Sequence, residues 1–479
     1  MAAAAAATAA APPRPRVMVL PFPAQGHVTP LMELSHRLVD HGFEVDFVNT
    51  DYSQARILAA LDLDAAAAGG GREDGEKTVL AGGIHFISLP DGMGPDGDRT
   101  DIIHLGACLQ AAMPGRLEEL IRANKTRWVV ADTSMSWVLD LDLATTLGVR
   151  VAFFLTYSAA VDAMRMQVPK LIQDGIIDEI ANVKRNQTIQ LSPRMPALNA
   201  TEFPWTGVTK SPELRRALLQ SAKDVPASYK LADAIVCNTF HEIESEALAL
   251  LPKETLAIGP LVASTLTPGD IHFWSQDMNS IAWLDAQVPS SVVYVAFGSF
   301  TVFDAARLQE LADGLVLTGR PFLWVVRPNS ASGGGGVEEG WLDEFRRRVG
   351  GKGLVVGWAP QRRVLSHPSV ACFLSHCGWN STMEGVCHGV PFLCWPYFAD
   401  QFLNQNYICD VWGMGVKIQA DGQGVVTREE IRSKVDRLLG DEGIKARARS
   451  LKSRACASVA DGGPSHQDLL KFVNLLREQ

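Results

Sequence analysis

The chain has no run of about 18 or more strongly apolar residues, so no membrane-spanning helix is expected. Its start, MAAAAAATAAAPPRPR, has no cationic stretch ahead of the alanines and passes into prolines, so residues 1–15 read as a disordered tail and not as a secretory signal. A cytoplasmic location follows as the expectation. Basic residues are short too: 44 Lys and Arg against 53 Asp and Glu leave a net charge of −9. A nucleic-acid partner is therefore not expected, since its usual mark is a basic face. Paired CxxC spacings are missing, although Cys372, Cys377, Cys387, Cys394 and Cys409 gather near His367, His376 and His388. Several of these thiols lie in apolar runs, VACFL and PFLCW, where cysteine behaves as a small core residue. No metal site is expected.

What is present is a long chain, 479 residues with 47% hydrophobic and 20% charged, enough for two cored domains. Strand-like and helical patterns alternate. RVMVLPFP, FEVDFVNT, IHFISLP, RWVVAD and VRVAFFLT are short apolar runs, and VTPLMELSHRLVDHG is a helix ending at Gly42. The pattern starts again with SVVYVAFGS, PFLWVVRP, GLVVGWAP, VACFLSHC and PFLCWP. The fold class is α/β, with two doubly wound, Rossmann-like domains and a ligand cleft between them. Residues 16–258 form the first domain, 259–278 a linker, 279–460 the second domain and 461–479 a C-terminal helix, free to pack on the first domain. AAAAGGGREDGEK (65–77) reads as an exposed insertion and SASGGGG (330–336) as a loop inside the second domain.

In open α/β sheets, ligands lie outside the carboxyl ends of the strands, so residues just after strands are the candidates. FLSHCGWNSTMEG (373–385) carries such a group: a strand, a turn through Cys377 to Trp379, and a helix opening at Asn380, Ser381 and Thr382. A helix start offers unpaired backbone N–H groups and the positive end of a dipole to an anion. His376, Asn380 and Ser381 can add side-chain donors. The plainer alternative is an ordinary helix cap with Gly378 in a tight turn. In the first domain, His27 follows the first strand and Asp132 stands at the end of RWVVAD, which puts both at one edge of one sheet.

The whole stretch from Trp358 to Gln401 resembles the signature box of the plant secondary-product glycosyltransferases, family 1 enzymes of GT-B fold that use UDP-sugars, and it matches that box in length without a gap. PFPAQGHVTP, VCNTFHEIE, IGPL and VVYVAFGS resemble further landmarks of the same family. The resemblance implies that Trp358 stacks on uracil, with Ala359 and Gln361 bordering the nucleoside and Glu384 accepting from the ribose hydroxyls. It implies that His376, Asn380, Ser381 and Ser299 hold the diphosphate, and that Trp379, Asp400, Gln401 and Thr156 face the sugar. His27 would be the catalytic base and Asp132 its partner. The alternative for the tryptophans is ordinary core packing.

One departure stands out: SWVLDLDLATTLG has Asp140 and Asp142 where the family pattern has a single Asp. They form a DxD string, the metal-binding mark of another nucleotide-sugar transferase fold, but in a helical pattern residues i and i+2 diverge. The resemblance implies inverting transfer of glucose from UDP-glucose to a hydroxyl, or a carboxyl or thiol, of a small lipophilic metabolite such as a flavonoid, phenolic, terpenoid or hormone. No metal or other cofactor is expected, and the chain is expected to act as a monomer. Two rival classes are a non-catalytic ligand-binding protein and an enzyme that epimerises or hydrolyses the nucleotide sugar. The acceptor loops are placed around 85–105 and 157–206.

Overall fold

The computed structural model of the chain describes residues 14–67, 79–80, 83–141, 143–206, 211–252, 254–264, 273–327 and 340–478. Residues 68–77 of the expected insertion, the 330–336 loop, Asp142, most of the N-terminal tail and 265–272 of the linker lie outside them. Residues 65–67 end the helix Asp51–Ala67 and so are not part of a loop: alanine is the best helix former, and the run extends the preceding turns.

The first sheet takes β1 (Arg16–Leu20), β2 (Glu44–Thr50), β3 (Val79–Leu80), β4 (Ile84–Leu89), β5 (Trp128–Asp132) and β6 (Arg150–Leu155). A two-stranded ribbon of β7 (Thr188–Ile189) and β8 (Leu198–Asn199) intervenes, and β9 (Ala234–Cys237) and β10 (Thr255–Ala257) complete the sheet. Its order is β10-β9-β6-β5-β1-β2-β4-β3, and only the β3–β4 pair is antiparallel. The second sheet holds β11 (Val292–Ala296), β12 (Phe322–Val325), β13 (Gly353–Val356), β14 (Val370–Ser375), β15 (Phe392–Cys394) and β16 (Gly415–Lys417), all parallel, in the order β13-β12-β11-β14-β15-β16.

These strands read as unbroken apolar runs because both faces of each sheet are covered. Alternate side chains go to different cores: Met18, Val129 and Phe153 to one face of the first sheet, Val17, Val130 and Phe154 to the other. The helix Pro464–Arg477 closes that second face with Leu469, Phe472, Val473 and Leu476. Across the domains, Leu403 and Tyr407 of the second domain are buried in the core of the first, and Asn406 Nδ2 donates to the Ala197 carbonyl at 2.9 Å.

The strand orders decide where a site can form. In the first sheet the chain turns outward in opposite directions from β1 and β5, and in the second from β11 and β14. At such a switch point the loops leaving two neighbouring strands part and leave a crevice at their carboxyl ends. The two crevices face each other.

Candidate active site between the two domains

A cavity of about 1670 Å³ fills the space between the crevices, lined from the first domain by Gly26, His27 and Thr156 and from the second by Ser299, Trp358 and Asn380. Ala359, Gln361, His376, Trp379, Ser381, Glu384, Asp400 and Gln401 also line it. Asp132 lies just behind this wall, completely buried.

The helix after β1 begins at Gln25, three residues earlier than its apolar period indicates, and so includes His27 in its first turn. His27 Nδ1 lies 2.7 Å from Asp132 Oδ2, whose other oxygen accepts from Ser134 N at 2.7 Å. That pairing assigns the Nδ1–H tautomer and leaves Nε2 as the basic atom. Burial alone would lower the His27 pKa, but the charge and hydrogen bond of Asp132 more than offset it, and the imidazole is held above its ordinary 6.5. Thr156 Oγ1 is 3.1 Å from the same Nδ1, so this hydroxyl is engaged in fixing the ring.

On the facing side, the helix Trp379–His388 starts after Gly378, which has no side chain to cap it, so its first N–H groups are left to a ligand. Gly378 is thus the residue before the helix, and Trp379 already lies within it. His376 is packed between two glycines: a Cβ on either Gly298 or Gly378 would come within 2.5 Å of its Nε2. Burial pushes the His376 pKa down to about 4, so the ring is neutral at physiological pH. Asn380 reaches across the cleft, its Nδ2 donating to the Gly26 carbonyl at 2.6 Å while its buried Oδ1 has no partner among the described residues.

Gln361 organises the floor. It accepts from Tyr294 OH at 3.0 Å and donates to Ser381 Oγ at 2.9 Å and Glu384 Oε2 at 2.5 Å. Ala359 is buried in the core beneath it. One face of Trp358 is stacked on Trp274, with centroids 4.7 Å apart and planes 29° apart, and Trp358 also lines the cavity. Trp379 is only 3% exposed and donates its indole N–H to the Asn238 carbonyl at 2.9 Å, making it a strut between domains as well as part of the wall. Gln401 Oε1 accepts from the Tyr397 and Phe398 amides at 2.7 and 3.0 Å, and Asp400 accepts from Asn404 at 2.8 Å. Burial raises the Asp400 pKa.

Thr100, Tyr157, Val161 and Arg165, which line the cavity, fall within the segments 85–105 and 157–206 expected to form loops around it, whereas the helix Pro212–Leu231 lies outside them. The helix Pro212–Leu231 lines the first-domain half of the cavity through Leu214, Leu218 and Val225, yet its pattern is that of any surface helix. Arg165 and Tyr157 line that half too, and Asp162, completely buried, accepts from Arg165 behind them. Asp140 lies in the 3₁₀ helix Thr133–Leu141, and no group of three or more potential metal ligands occurs among the described residues. No helix among them is long and apolar enough to cross a membrane.

A sequence profile described as UDP-glucoronosyl and UDP-glucosyl transferase matches residues 239–454. UDP-glycosyltransferase 83A1 of Arabidopsis thaliana is 38% identical over 97% of this chain and 97% of its own length. The 7-deoxyloganetin glucosyltransferase of Gardenia jasminoides is 33% identical over 95% of this chain and 96% of its own. Os79 from O. sativa, crystallised in complex with UDP, has a TM-score of 0.78 at 28% identity, covering 96% of this chain and all of that one. Likeness of this extent, running through both domains and the cleft they enclose, makes the chain a member of the UDP-glucoronosyl and UDP-glucosyl transferase family and a UDP-glycosyltransferase of GT-B fold.

Proposed function

We propose that the enzyme transfers glucose from UDP-glucose, with inversion, to a hydroxyl of a small lipophilic metabolite. The observation that carries this reading is the His27–Asp132 pair, 2.7 Å apart at the crevice of the first sheet, facing an uncapped helix start across one cavity. His27 Nε2 takes the acceptor's hydroxyl proton while Asp132 holds the imidazolium that forms. The acceptor oxygen bonds to the anomeric carbon from the side opposite the diphosphate, and the bond to UDP breaks. The electron pair leaves with UDP, whose charge is met by the amides of the Trp379–His388 helix with Asn380, Ser381, His376 and Ser299.

In the same reading, the open face of Trp358 carries uracil and Glu384, held by Gln361, takes the ribose diol. Trp379, Asp400 and Gln401 border the sugar. Gln401 at the end of the box goes with glucose, as the family resemblance implies. The apolar acceptor half suits a phenolic, flavonoid, terpenoid or hormone, and the Gardenia relative, named for glucosylating 7-deoxyloganetin, fits that range. No metal takes part. We place the enzyme in the cytoplasm, where its eight free thiols would stay reduced, and assign it a monomer.

The test is competition among UDP-glucose, UDP-galactose and UDP-glucuronate at equal concentration over a panel of acceptors. Products are read by mass, and the anomer by the proton coupling of the glycoside. A β-glucoside is expected. Preference for either other donor, or release of UDP at the same rate without acceptor, would sink the reading.

A further inference from the structure

The acceptor half of the cavity contains a cation that the proposed transfer does not use. Arg165 ends the helix Ala159–Arg165 and is the one Lys or Arg that the first domain contributes to the cavity lining among the described residues. Its Nη1 donates to Asp162 Oδ1 at 2.9 Å and to the Tyr157 hydroxyl, and its guanidinium carbon sits 4.5 Å from the Tyr157 ring centroid. Asp162, completely buried, is fixed in turn by the Tyr229 hydroxyl, and Tyr157 by Thr133 Oγ1 at 2.7 Å. The fork is thus held in one orientation. Neither Nε nor Nη2 of Arg165 has a hydrogen-bond partner among the described residues, and the side chain keeps 20% of its surface exposed. Its charge reaches both His27 and Asp400.

A guanidinium built into a wall with two donors unspent is a recognition element for an oxygen acceptor. We infer that Arg165 selects the acceptor, its Nε–H and Nη2–H binding a carbonyl oxygen of an uncharged hydroxylated molecule whose hydroxyl is offered to His27. A neutral carbonyl fits better than a carboxylate. Asp162 already balances the guanidinium, and Asp140 and Asp224 line the same half, so an acidic acceptor would bring a negative charge that nothing there balances. Val161, Trp137 and Leu218 supply the apolar walls for the rest of the molecule.

This assignment rests on the proposed transfer, and two separate readouts keep them distinguishable. Three phenols of similar acidity are compared: 4-(4-hydroxyphenyl)butan-2-one, 4-butylphenol and 3-(4-hydroxyphenyl)propanoate. Affinity is measured by calorimetry with UDP present, and glucoside formation from UDP-glucose by mass. The wild type should favour the ketone over butylphenol by about tenfold or more, as a hydrogen bond from a charged donor provides. Arg165→Met should level the ketone to butylphenol. If that variant does not fold, Asp162→Asn with Arg165→Met carries the same readout, because removing both partners leaves no stranded charge. Equal affinities in the wild type, a ketone preference that survives the substitution, or a preference for the carboxylate overturns the inference. A ketone preference in affinity without any glucoside would support Arg165 and count against the transfer reading.

Discussion

Arg362 Nη1 donates to Glu33 Oε1 at 2.6 Å, and both side chains are buried, so an ion pair ties the second domain to the helix that carries His27. Taking away one partner strands the other charge, at a cost of about 3–5 kcal/mol. Glu33→Gln and Arg362→Met should each lower the denaturant midpoint strongly, whereas the double variant should be closer to wild type than the worse single one. Additive losses in a double-mutant cycle would show that the pair is not coupled.

His27 and Asp132 should fail together. Removing a general base typically costs about a hundred- to ten-thousand-fold in rate. His27→Ala should lose transfer to an alcohol on that scale while UDP affinity, which the proposed function assigns to the second domain, holds. Asp132→Ala should be severely impaired, and the double variant little worse than His27→Ala, because residues acting as a unit are not additive. Near-normal turnover of His27→Ala on an alcohol would make this residue structural.

The same pair predicts a pH profile. His27 must be neutral to accept a proton, and Asp132 holds its pKa above 6.5 against the opposing effect of burial. The rate should therefore fall on the acid side with a midpoint above 6.5, and Asp132→Asn should move that limb to lower pH. The sign for stability is the reverse: the protonated pair stabilises the fold fully below the unfolded value, and this is lost as pH rises through the folded one. An acid limb that does not move with Asp132→Asn would exclude His27 as its origin.

Activity should survive a chelator. The proposed diphosphate site consists of helix amides with Asn380 and the neutral His376, and Asp140 lies on the other domain in a 3₁₀ turn. Loss of transfer with EDTA, restored by magnesium or manganese, would refute this.

Much of the fold was readable because each sheet is covered on both faces, so its strands stand out as apolar runs, and a strand's end is where a switch-point ligand must lie. His27, Asp132 and His376 were accessible on that ground, and Ser299 through the family resemblance. The Glu33–Arg362 pair was not: two charged side chains 329 residues apart each read as solvent-facing until the domains meet. Leu403 and Tyr407 show an apolar pattern, but the pattern does not say that the core they fill belongs to the other domain. Thr156 lines the cavity as expected of a residue after a strand, but that its hydroxyl also lies 3.1 Å from His27 Nδ1 could not be read from its position in the sequence. Arg165 lies in the 157–206 segment expected to form an acceptor loop, but nothing singled the residue out, since its meaning depends on which of its donors Asp162 and Tyr157 leave unused.

The two glycines around His376 give the sharpest steric test of the donor half. A Cβ at either position would lie 2.5 Å from His376 Nε2, closer than any relaxed contact. Gly378 has φ −60°, which any residue adopts, so Gly378→Ala isolates the clash, whereas Gly298 at φ +68° adds left-handed strain. Overpacking of this kind costs about 1–3 kcal/mol, or roughly five- to 150-fold in affinity if His376 is displaced from the ligand. UDP binding by calorimetry should weaken on that scale in Gly378→Ala and further in Gly298→Ala. Adding His376→Ala to Gly378→Ala removes the clash but also the phosphate donor of the proposed function, so melting temperature should recover while UDP affinity does not. Recovery of both would mean that His376 only fills space, and wild-type UDP affinity in Gly378→Ala would mean that the ring can move aside without consequence.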